Sequence, residues 1–125
     1  MNTVSLIGVV DDDEAVRDSV SMLLASAGYH CAVFPSGESF LASGSLHETD
    51  CMVLDVRMPG LSGPELHSRI RESHHAVPVI FISGHGEDEF RASAMRDGAV
   101  AFLRKPFSDE VLLATIRVAL DPRAN

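Results

Sequence analysis

Side chains suited to phosphate chemistry follow four of the five apolar runs in the sequence. Asp11 and Asp12 follow VSLIGVV, Asp55 follows CMVL, Ser83 ends PVIFIS, and Lys105 comes shortly after AFL. Lys105 is the only lysine among ten lysines and arginines. A compact ammonium on a thin stem fits a crowded anion site better than the planar fork of arginine. This position therefore points to an anionic partner.

The acidic residues in this set, Asp11, Asp12 and Asp55, would repel one another at short range. Two carboxylates about 4 Å apart repel by about 4 kcal/mol at an effective dielectric of about 20, so the three cannot all stay ionised unaided. A divalent cation would relieve the repulsion, and oxygen ligands that leave room for water favour Mg2+. A carboxylate, a hard cation, a hydroxyl and an ammonium together favour phosphoryl transfer to the carboxylate.

The same residues also have purely structural explanations. The acidic run at 11–14 would stabilise the positive end of a helix dipole, and Asp55 could serve the turn formed by VRMPGLSG. Their common position favours a shared site instead. Parallel strands deliver their carboxyl ends to one edge of a sheet, and ligands bind at that edge.

Short apolar runs alternate with segments of helical period, which predicts strand-helix units and a parallel sheet covered on both faces. The predicted strands span residues 4–10, 31–34, 51–54, 78–83 and 101–103. The predicted helices cover 16–27, a short segment around Phe40 and Leu41, a segment capped by Ser62 and Glu65, 88–97, and 108–120. His74 and His75 are expected on different faces of the third helix, near its C-terminus, where partial positive charge is favourable.

The composition indicates one globular domain and limits its partners. A length of 125 residues with 46% hydrophobic residues suffices for one core, which we assign to residues 1–121, with a tail or linker at 122–125. The net charge of −8 would repel phosphate backbones, so direct nucleic-acid binding is not expected. The apolar runs are too short to span a membrane, and no signal peptide is apparent. Cys31 and Cys51 are expected to be reduced thiols in the cytoplasm.

Four segments, in order, resemble one known family. VVDDDEAVRDSV, LDVRMPGLSG, ISGHGE and FLRKPF are similar to motifs of the receiver domain of two-component response regulators. RMPG followed by GHG most resembles the FixJ-type branch, whose usual output is a C-terminal helix-turn-helix domain. The resemblance implies a flavodoxin-like, doubly wound (βα)5 fold with strand order 2-1-3-4-5. It also implies that residues 122–125 lead toward an output domain.

The resemblance implies a role for each matching residue. Asp55 would be the phosphoacceptor. Mg2+, or Mn2+ in its place, would be held by Asp12, Asp55 and the backbone carbonyl of Arg57, with Asp11 acting mostly through water. The residues that bind the phosphoryl group or switch would be Ser83, Gly84, Lys105 and Phe102, the last swinging inward. The Lys105-Pro106 bond would be cis, and Arg57 and His85 would tune loss of the phosphoryl group.

The implied function is a phosphorylation-dependent switch and not an enzyme that turns over substrate. A sensor histidine kinase, or acetyl phosphate, would supply the phosphoryl group. A homodimer through helix 4, strand 5 and helix 5 is a further implied partner, although DEFRASAMRD is charged for an apolar dimer face.

Three alternatives to a switch with an attached output domain stay open. One is a single-domain regulator that acts through protein contacts, and another is a receiver-like module that is never phosphorylated. The third is an aspartate-nucleophile phosphohydrolase. Such enzymes commonly carry a second acid two residues after the nucleophile, where this chain has Arg57.

Overall fold

A parallel sheet of five strands forms the centre of the chain. A computed structural model describes residues 4–84 and 89–121. The strands are β1 (Leu6–Val10), β2 (His30–Phe34), β3 (Cys51–Asp55), β4 (Val79–Ser83) and β5 (Ala101–Arg104). Their order in the sheet is β2-β1-β3-β4-β5, and every neighbouring pair is parallel. The predicted doubly wound fold and its strand order are confirmed.

Five α-helices alternate with the strands. They are α1 (Glu14–Ser26), α2 (Gly37–Ser43), α3 (Gly63–Glu72), α4 (Glu89–Arg96) and α5 (Asp109–Leu120), and a 3-10 turn covers Ser45–Glu48. Local sequence explains four of the starts, because side-chain oxygens of the preceding residues accept backbone N–H bonds: Asp13, Ser36, Ser62 and Ser108. Glu65 completes the predicted capping box of α3. Among the described residues, no helix is both long and apolar enough to cross a membrane.

The helices bury two apolar clusters on opposite faces of the sheet. On the face covered by α1 and α5, called the α1/α5 face, the fully buried side chains include Ile7, Leu24, Ile80, Ile82, Leu112 and Ile116. On the face covered by α2, α3 and α4, called the α2–α4 face, they include Phe40, Met52, Leu54, Leu66 and Phe81. Both faces of β3 and β4 are covered, so these strands form the centre of the core.

Some predicted boundaries differ from the structure. β3 continues through Asp55, which pairs with Ile82 of β4 and so ends the strand instead of following it. α4 was predicted over 88–97; it ends at Arg96, and Asp88 lies outside the described residues. The placement of His74 and His75 within the end of a helix was wrong. α3 ends at Glu72, and the φ of 65° at His74 cannot continue a right-handed helix.

The two cysteines lie too far apart to form a disulfide with each other. Ile7 of β1 pairs with Cys31 on one side and with Cys51 on the other. Two strand spacings separate their Cα atoms by about 9.5 Å, beyond the limit of about 7 Å for a disulfide. Burial, with a smaller effect of Asp50, raises the pKa of Cys51 to about 12. Both residues are free thiols, as predicted.

Candidate functional site at the carboxyl edge of the sheet

The three candidate carboxylates meet at the carboxyl ends of two neighbouring strands. Asp11 and Asp12 directly follow β1, and Asp55 is the last residue of β3. One oxygen of each residue lies within 4.8 Å of the others. Asp11 is fully buried and Asp55 is 5% exposed, whereas Asp12 is exposed. The structure therefore brings together the acidic residues that the sequence grouped.

Lys105 reaches from the end of β5 to two of these carboxylates. Its Nζ lies 3.1 Å from Asp11 Oδ2 and 3.5 Å from Asp55 Oδ1. Burial by itself would lower the pKa of Lys105, but the carboxylates of Asp11 and Asp55 outweigh it and raise the pKa. The ammonium is thus held in its charged form. The Lys105-Pro106 peptide bond is cis, as the resemblance implies.

Asp55 holds its proton far more tightly than an ordinary aspartate. Burial raises its pKa most, and the nearby carboxylate of Asp11 raises it further, while Lys105 acts in the opposite direction. The resulting pKa is about 7, against 3.8 for an unperturbed aspartate. One lysine therefore does not balance the carboxylates, and the described site has unneutralised negative charge.

The other candidate phosphoryl-binding groups lie on β4 and β5. Ser83 is fully buried, and its Oγ donates a hydrogen bond to the Gly84 carbonyl at 3.2 Å. The Lys105 backbone N–H donates to the Ser83 carbonyl at 2.8 Å, which joins the two strand ends. Phe102 is 6% exposed, and its ring centroid lies 6.3 Å from that of Phe81. The ring expected to swing inward is already inside in this conformation.

The chain matches the model of one protein family over most of its length. The family model "Response regulator receiver domain" matches residues 7–117. The chain belongs to the receiver domain family. It is 42% identical over 120 residues to the transcriptional regulatory protein FixJ of Bradyrhizobium diazoefficiens, an alignment that covers 96% of this chain and 58% of that protein.

Further relatives agree with this assignment. The response regulator protein TodT of Pseudomonas putida is 41% identical over 116 residues, which cover 93% of this chain and 51% of TodT. The crystal structure of FixJ-N superimposes with a TM-score of 0.83 at 35% identity, covering 94% of this chain and 93% of that one. The chain thus spans little more than half the length of the curated relatives it matches.

The acidic group of this receiver fits a hard divalent cation. Within residues 4–84 and 89–121, Asp11, Asp12 and Asp55 are the single group of three or more potential ligands spaced for a metal. Asp11 Oδ2 is buried and receives no well-oriented hydrogen bond from the described residues, although Lys105 lies close to it. A buried carboxylate oxygen with spare acceptor capacity, beside two further carboxylates, is the donor chemistry that Mg2+ prefers.

Sequence reasoning missed two side chains that hold the loops of this receiver site. Arg17 of α1 donates from Nη1 to the backbone carbonyl of Asp11 at 2.8 Å. Glu38 of α2 accepts a hydrogen bond from the Leu61 backbone N–H at 3.0 Å. Arg17 stands within the conspicuous run VVDDDEAVRDSV, which offers a weak signal; nothing in the local pattern around Glu38 points to Leu61.

An open cleft lies beside the carboxylates of the receiver. Its volume is about 690 Å3, and its walls include Asp12, Arg57, Met58, Pro59 and Phe90. Arg57, two residues after Asp55, is exposed there. His85, the second residue expected to tune phosphoryl loss, lies outside the described residues.

Proposed function

We propose that Asp55 accepts a phosphoryl group from a phosphohistidine of a sensor histidine kinase, or from a small donor such as acetyl phosphate. The observation that carries this proposal is the position of Asp55. Its carboxylate ends a central strand, lies among Asp11 and Asp12, and has the ammonium of Lys105 3.5 Å away. A carboxylate nucleophile beside a fixed cation and a cation-binding acidic group suits transfer of a phosphoryl group.

The residues of the site would divide the work of transfer. An ionised oxygen of Asp55 would form the new bond to phosphorus as the bond to the imidazole nitrogen of the donor breaks. The ammonium of Lys105, now in contact with the carboxylates of Asp11 and Asp55, would instead bind a phosphoryl oxygen. Mg2+, or Mn2+ in its place, would be held by Asp12, Asp55 and the Arg57 carbonyl, with Asp11 acting mostly through water, and would supply charge neutralisation.

The resulting phosphoryl-aspartate would act through Ser83, Gly84 and Phe102. New acceptor oxygens on Asp55 would draw the Ser83 hydroxyl and the Gly84 N–H toward them, and the space left by Ser83 would hold Phe102 inside. The modification would then favour one of two packings of α4, β5 and α5. This surface is the proposed place of a phosphorylation-dependent homodimer.

The output of the switch is proposed from the relatives. The chain aligns with 58% of FixJ, which is named a transcriptional regulatory protein. We infer that this receiver controls a DNA-binding output domain linked through residues 122–125, with a single-domain regulator as the alternative. We propose that phosphoryl transfer takes place in the cytoplasm, where the free thiols of Cys31 and Cys51 would stay reduced.

Loss of the phosphoryl group is proposed to be slow autodephosphorylation. Arg57 and His85 would hinder the water that attacks the phosphoryl-aspartate, because both are bulky and stand two residues from groups of the site. Replacing both by alanine should shorten the lifetime of the phosphorylated protein, measured as decay of the phosphorylated mass. A lifetime equal to that of the wild type would contradict this role.

The central test is phosphorylation by a small donor. The protein is incubated with acetyl phosphate and Mg2+, and its intact mass is measured with and without EDTA. We expect a gain of one phosphoryl group that needs the cation and is absent in Asp55→Asn. No adduct with any donor would support a passive interaction module, and continuous release of phosphate from many esters would support a phosphohydrolase.

A further inference from the structure

The N-terminus of α2 packs against the loop that follows Asp55. The Leu61 backbone N–H donates to Glu38 Oε2 at 3.0 Å, although the two residues are 23 positions apart. Gly37 packs against the side chain of Leu61, so closely that an added Cβ would lie 3.0 Å from Leu61 Cδ2. α2 thus touches this loop through one polar contact and one apolar contact.

Gly60 is shaped to receive the carboxylate of Glu38. Its φ is 75°, a backbone conformation that residues other than glycine rarely adopt. A Cβ at Gly60 would also overlap Glu38 Oε2. The conformation therefore favours glycine, and without a Cβ at this position the Glu38 carboxylate can lie directly against the backbone of the loop.

The same loop is anchored at its other end on the phosphoacceptor strand. The Gly63 N–H donates to the Val56 carbonyl at 3.0 Å, which closes the loop at its base. A Cβ at Gly63 would overlap the backbone carbonyl of Asp55. Arg57 lies between this closed base and the contact made by Glu38, so both anchors influence where its carbonyl points.

Glu38 is not needed as the cap of its own helix. Ser36 caps α2, since its hydroxyl accepts the Ser39 backbone N–H at 3.0 Å. The Glu38 carboxylate is consequently available for the loop, and hydrogen bonds from N–H groups to a carboxylate are stronger than those between neutral groups.

We propose that Glu38 is a positioning residue that holds the Val56–Gly63 loop so that the Arg57 carbonyl faces the carboxylates of Asp12 and Asp55. The inference rests on the proposed function, in which that carbonyl helps to hold a divalent cation. Mutation of groups that orient metal ligands without touching the metal commonly weakens metal affinity by about ten- to a hundredfold. Glu38 would therefore act on cation affinity through the backbone of the loop.

The test measures the affinity of the full chain for Mn2+ in wild type, Glu38→Ala and Glu38→Gln. The concentration of free Mn2+ is read from its electron paramagnetic resonance spectrum. Glu38→Ala should weaken binding by about tenfold, the lower end of that range. Glu38→Gln should bind within about twofold of wild type, because its amide oxygen can still accept the Leu61 N–H. Both variants remove one negative charge, so a difference between them isolates the hydrogen bond from long-range attraction.

Glu72→Ala is the matched control. Glu72 is an exposed carboxylate at the end of α3 whose contact is the Ser68 hydroxyl at 3.3 Å. Its removal changes the net charge equally and should leave Mn2+ affinity near that of wild type. Equal affinities in all four proteins would overturn the proposal, as would equal weakening in the two Glu38 variants.

Hydrogen exchange provides a second measurement that does not depend on phosphorylation. The Leu61 amide should exchange faster in Glu38→Ala than in wild type, while amides of α5 should be unchanged. If Glu38→Ala does not fold, Glu38→Asp, whose shorter side chain falls short of Leu61, takes its place with the same expectations. Wild-type Mn2+ binding without phosphorylation of Asp55 would refute the proposed function alone. Unchanged Leu61 exchange would refute the role of Glu38 alone.

Discussion

The two faces of the sheet are built differently. The α1/α5 face is covered by helices of 13 and 12 residues, and the buried side chains of its apolar cluster are aliphatic apart from Cys51. The α2–α4 face is covered by helices of 7, 10 and 8 residues and includes aromatic rings, methionines and the buried His67. In α4, Ala94 is the one buried residue. α4 is therefore the least anchored helix, so we expect the α2–α4 face to be the more adaptable side of the sheet and the α1/α5 face to be the firmer side.

The functional groups are distributed between these faces by strand alternation. Asp55 continues the series of Cys51 and Val53, which points to the α1/α5 face, and Lys105 contacts it there. Ser83 continues the series of Val79 and Phe81, which points to the α2–α4 face. The charged groups of Asp55 and Lys105 thus lie on the firmer side of the sheet. The Ser83 hydroxyl, which would respond to phosphorylation, lies on the more adaptable side.

The largest expected difference between the faces concerns stability. Ile116→Ala on the α1/α5 face should lower the free energy of unfolding by about 2 to 5 kcal/mol, because Ile116 is fully buried. Ala94→Gly in α4 should cost only about 1 kcal/mol. Urea denaturation measures both, and Val118→Ala, at a position that is 55% exposed, is the control for α5. A larger loss for Ala94→Gly than for Ile116→Ala would break the comparison.

The second largest effect on stability comes from the Asp55 carboxylate, which lies on the firmer side of the sheet. Without a divalent cation, Asp55→Asn should raise the free energy of unfolding by up to about 4 kcal/mol at pH 8, which is the shift of the Asp55 pKa converted at about 1.4 kcal/mol per unit. The folded pKa of about 7 exceeds the unfolded value of 3.8, so ionised Asp55 destabilises the fold above pH 7. As pH falls toward 4, Asp55 becomes protonated and this cost disappears.

Urea midpoints of wild type and Asp55→Asn, measured in EDTA at several pH values, check this sign. The gap between the two proteins should shrink steadily between pH 7 and pH 4. A gap that widens toward acid, or an asparagine variant less stable than wild type at pH 8, would contradict the electrostatic account.

Five strands could be predicted because β3 and β4 are continuous apolar runs, and the start of α3 because a capping box is local. The ends of elements were less certain. Asp55 joins β3 because it pairs with Ile82, a partner 27 positions away that no local pattern reveals. His74 leaves the helix through a backbone conformation that its residue type does not announce.

The candidate site was predictable where its residues stand at strand ends. Asp11, Asp55, Ser83 and Lys105 were grouped by position alone, and the structure places them together. Glu38 was missed because its contact with Leu61 joins separate elements and leaves no spacing in the sequence. The burial of His67 was missed because histidine is intermediate in its tendency to be buried, and the packing of its ring on Phe81 joins separate elements.

A third, smaller effect tests the adaptable side. Ser83→Ala should change stability by about 0.5 to 1 kcal/mol, because its hydroxyl makes one local bond of 3.2 Å to Gly84. Asp55 should still be phosphorylated. Hydrogen exchange of α4 amides should change on phosphorylation in wild type and much less in Ser83→Ala. The same change in both proteins would show that the hydroxyl does not connect the two faces.

The smallest effect concerns His67, a buried residue of α3 whose ring packs against Phe81. Burial lowers its pKa most, Arg71 lowers it further, and Asp97 partly opposes them. Because the folded pKa is below the unfolded value of 6.5, His67 lowers stability as pH falls below that value. His67→Gln should lose less stability than its parent between pH 7.5 and pH 5.

Asp55 gives the opposite slope in part of this range, so Asp55→Asn is the appropriate background for the His67 measurement. In that background, urea midpoints of the single and double variants should converge above pH 7 and separate below it. Parallel curves across the whole range would mean that unfolding does not protonate His67, and would contradict its proposed effect on the pH dependence of stability.

The single lysine makes the candidate site chemically addressable. Apart from the α-amino group, Lys105 carries the only primary amine, and its side chain is 25% exposed while in contact with two carboxylates. Among the side chains of this sequence, an amine-reactive label should therefore modify Lys105 alone, and peptide mapping separates it from the labelled α-amino group. Slow labelling would signal a closed cluster, and any ligand that draws the carboxylates away from the ammonium would register as a change in the labelling rate.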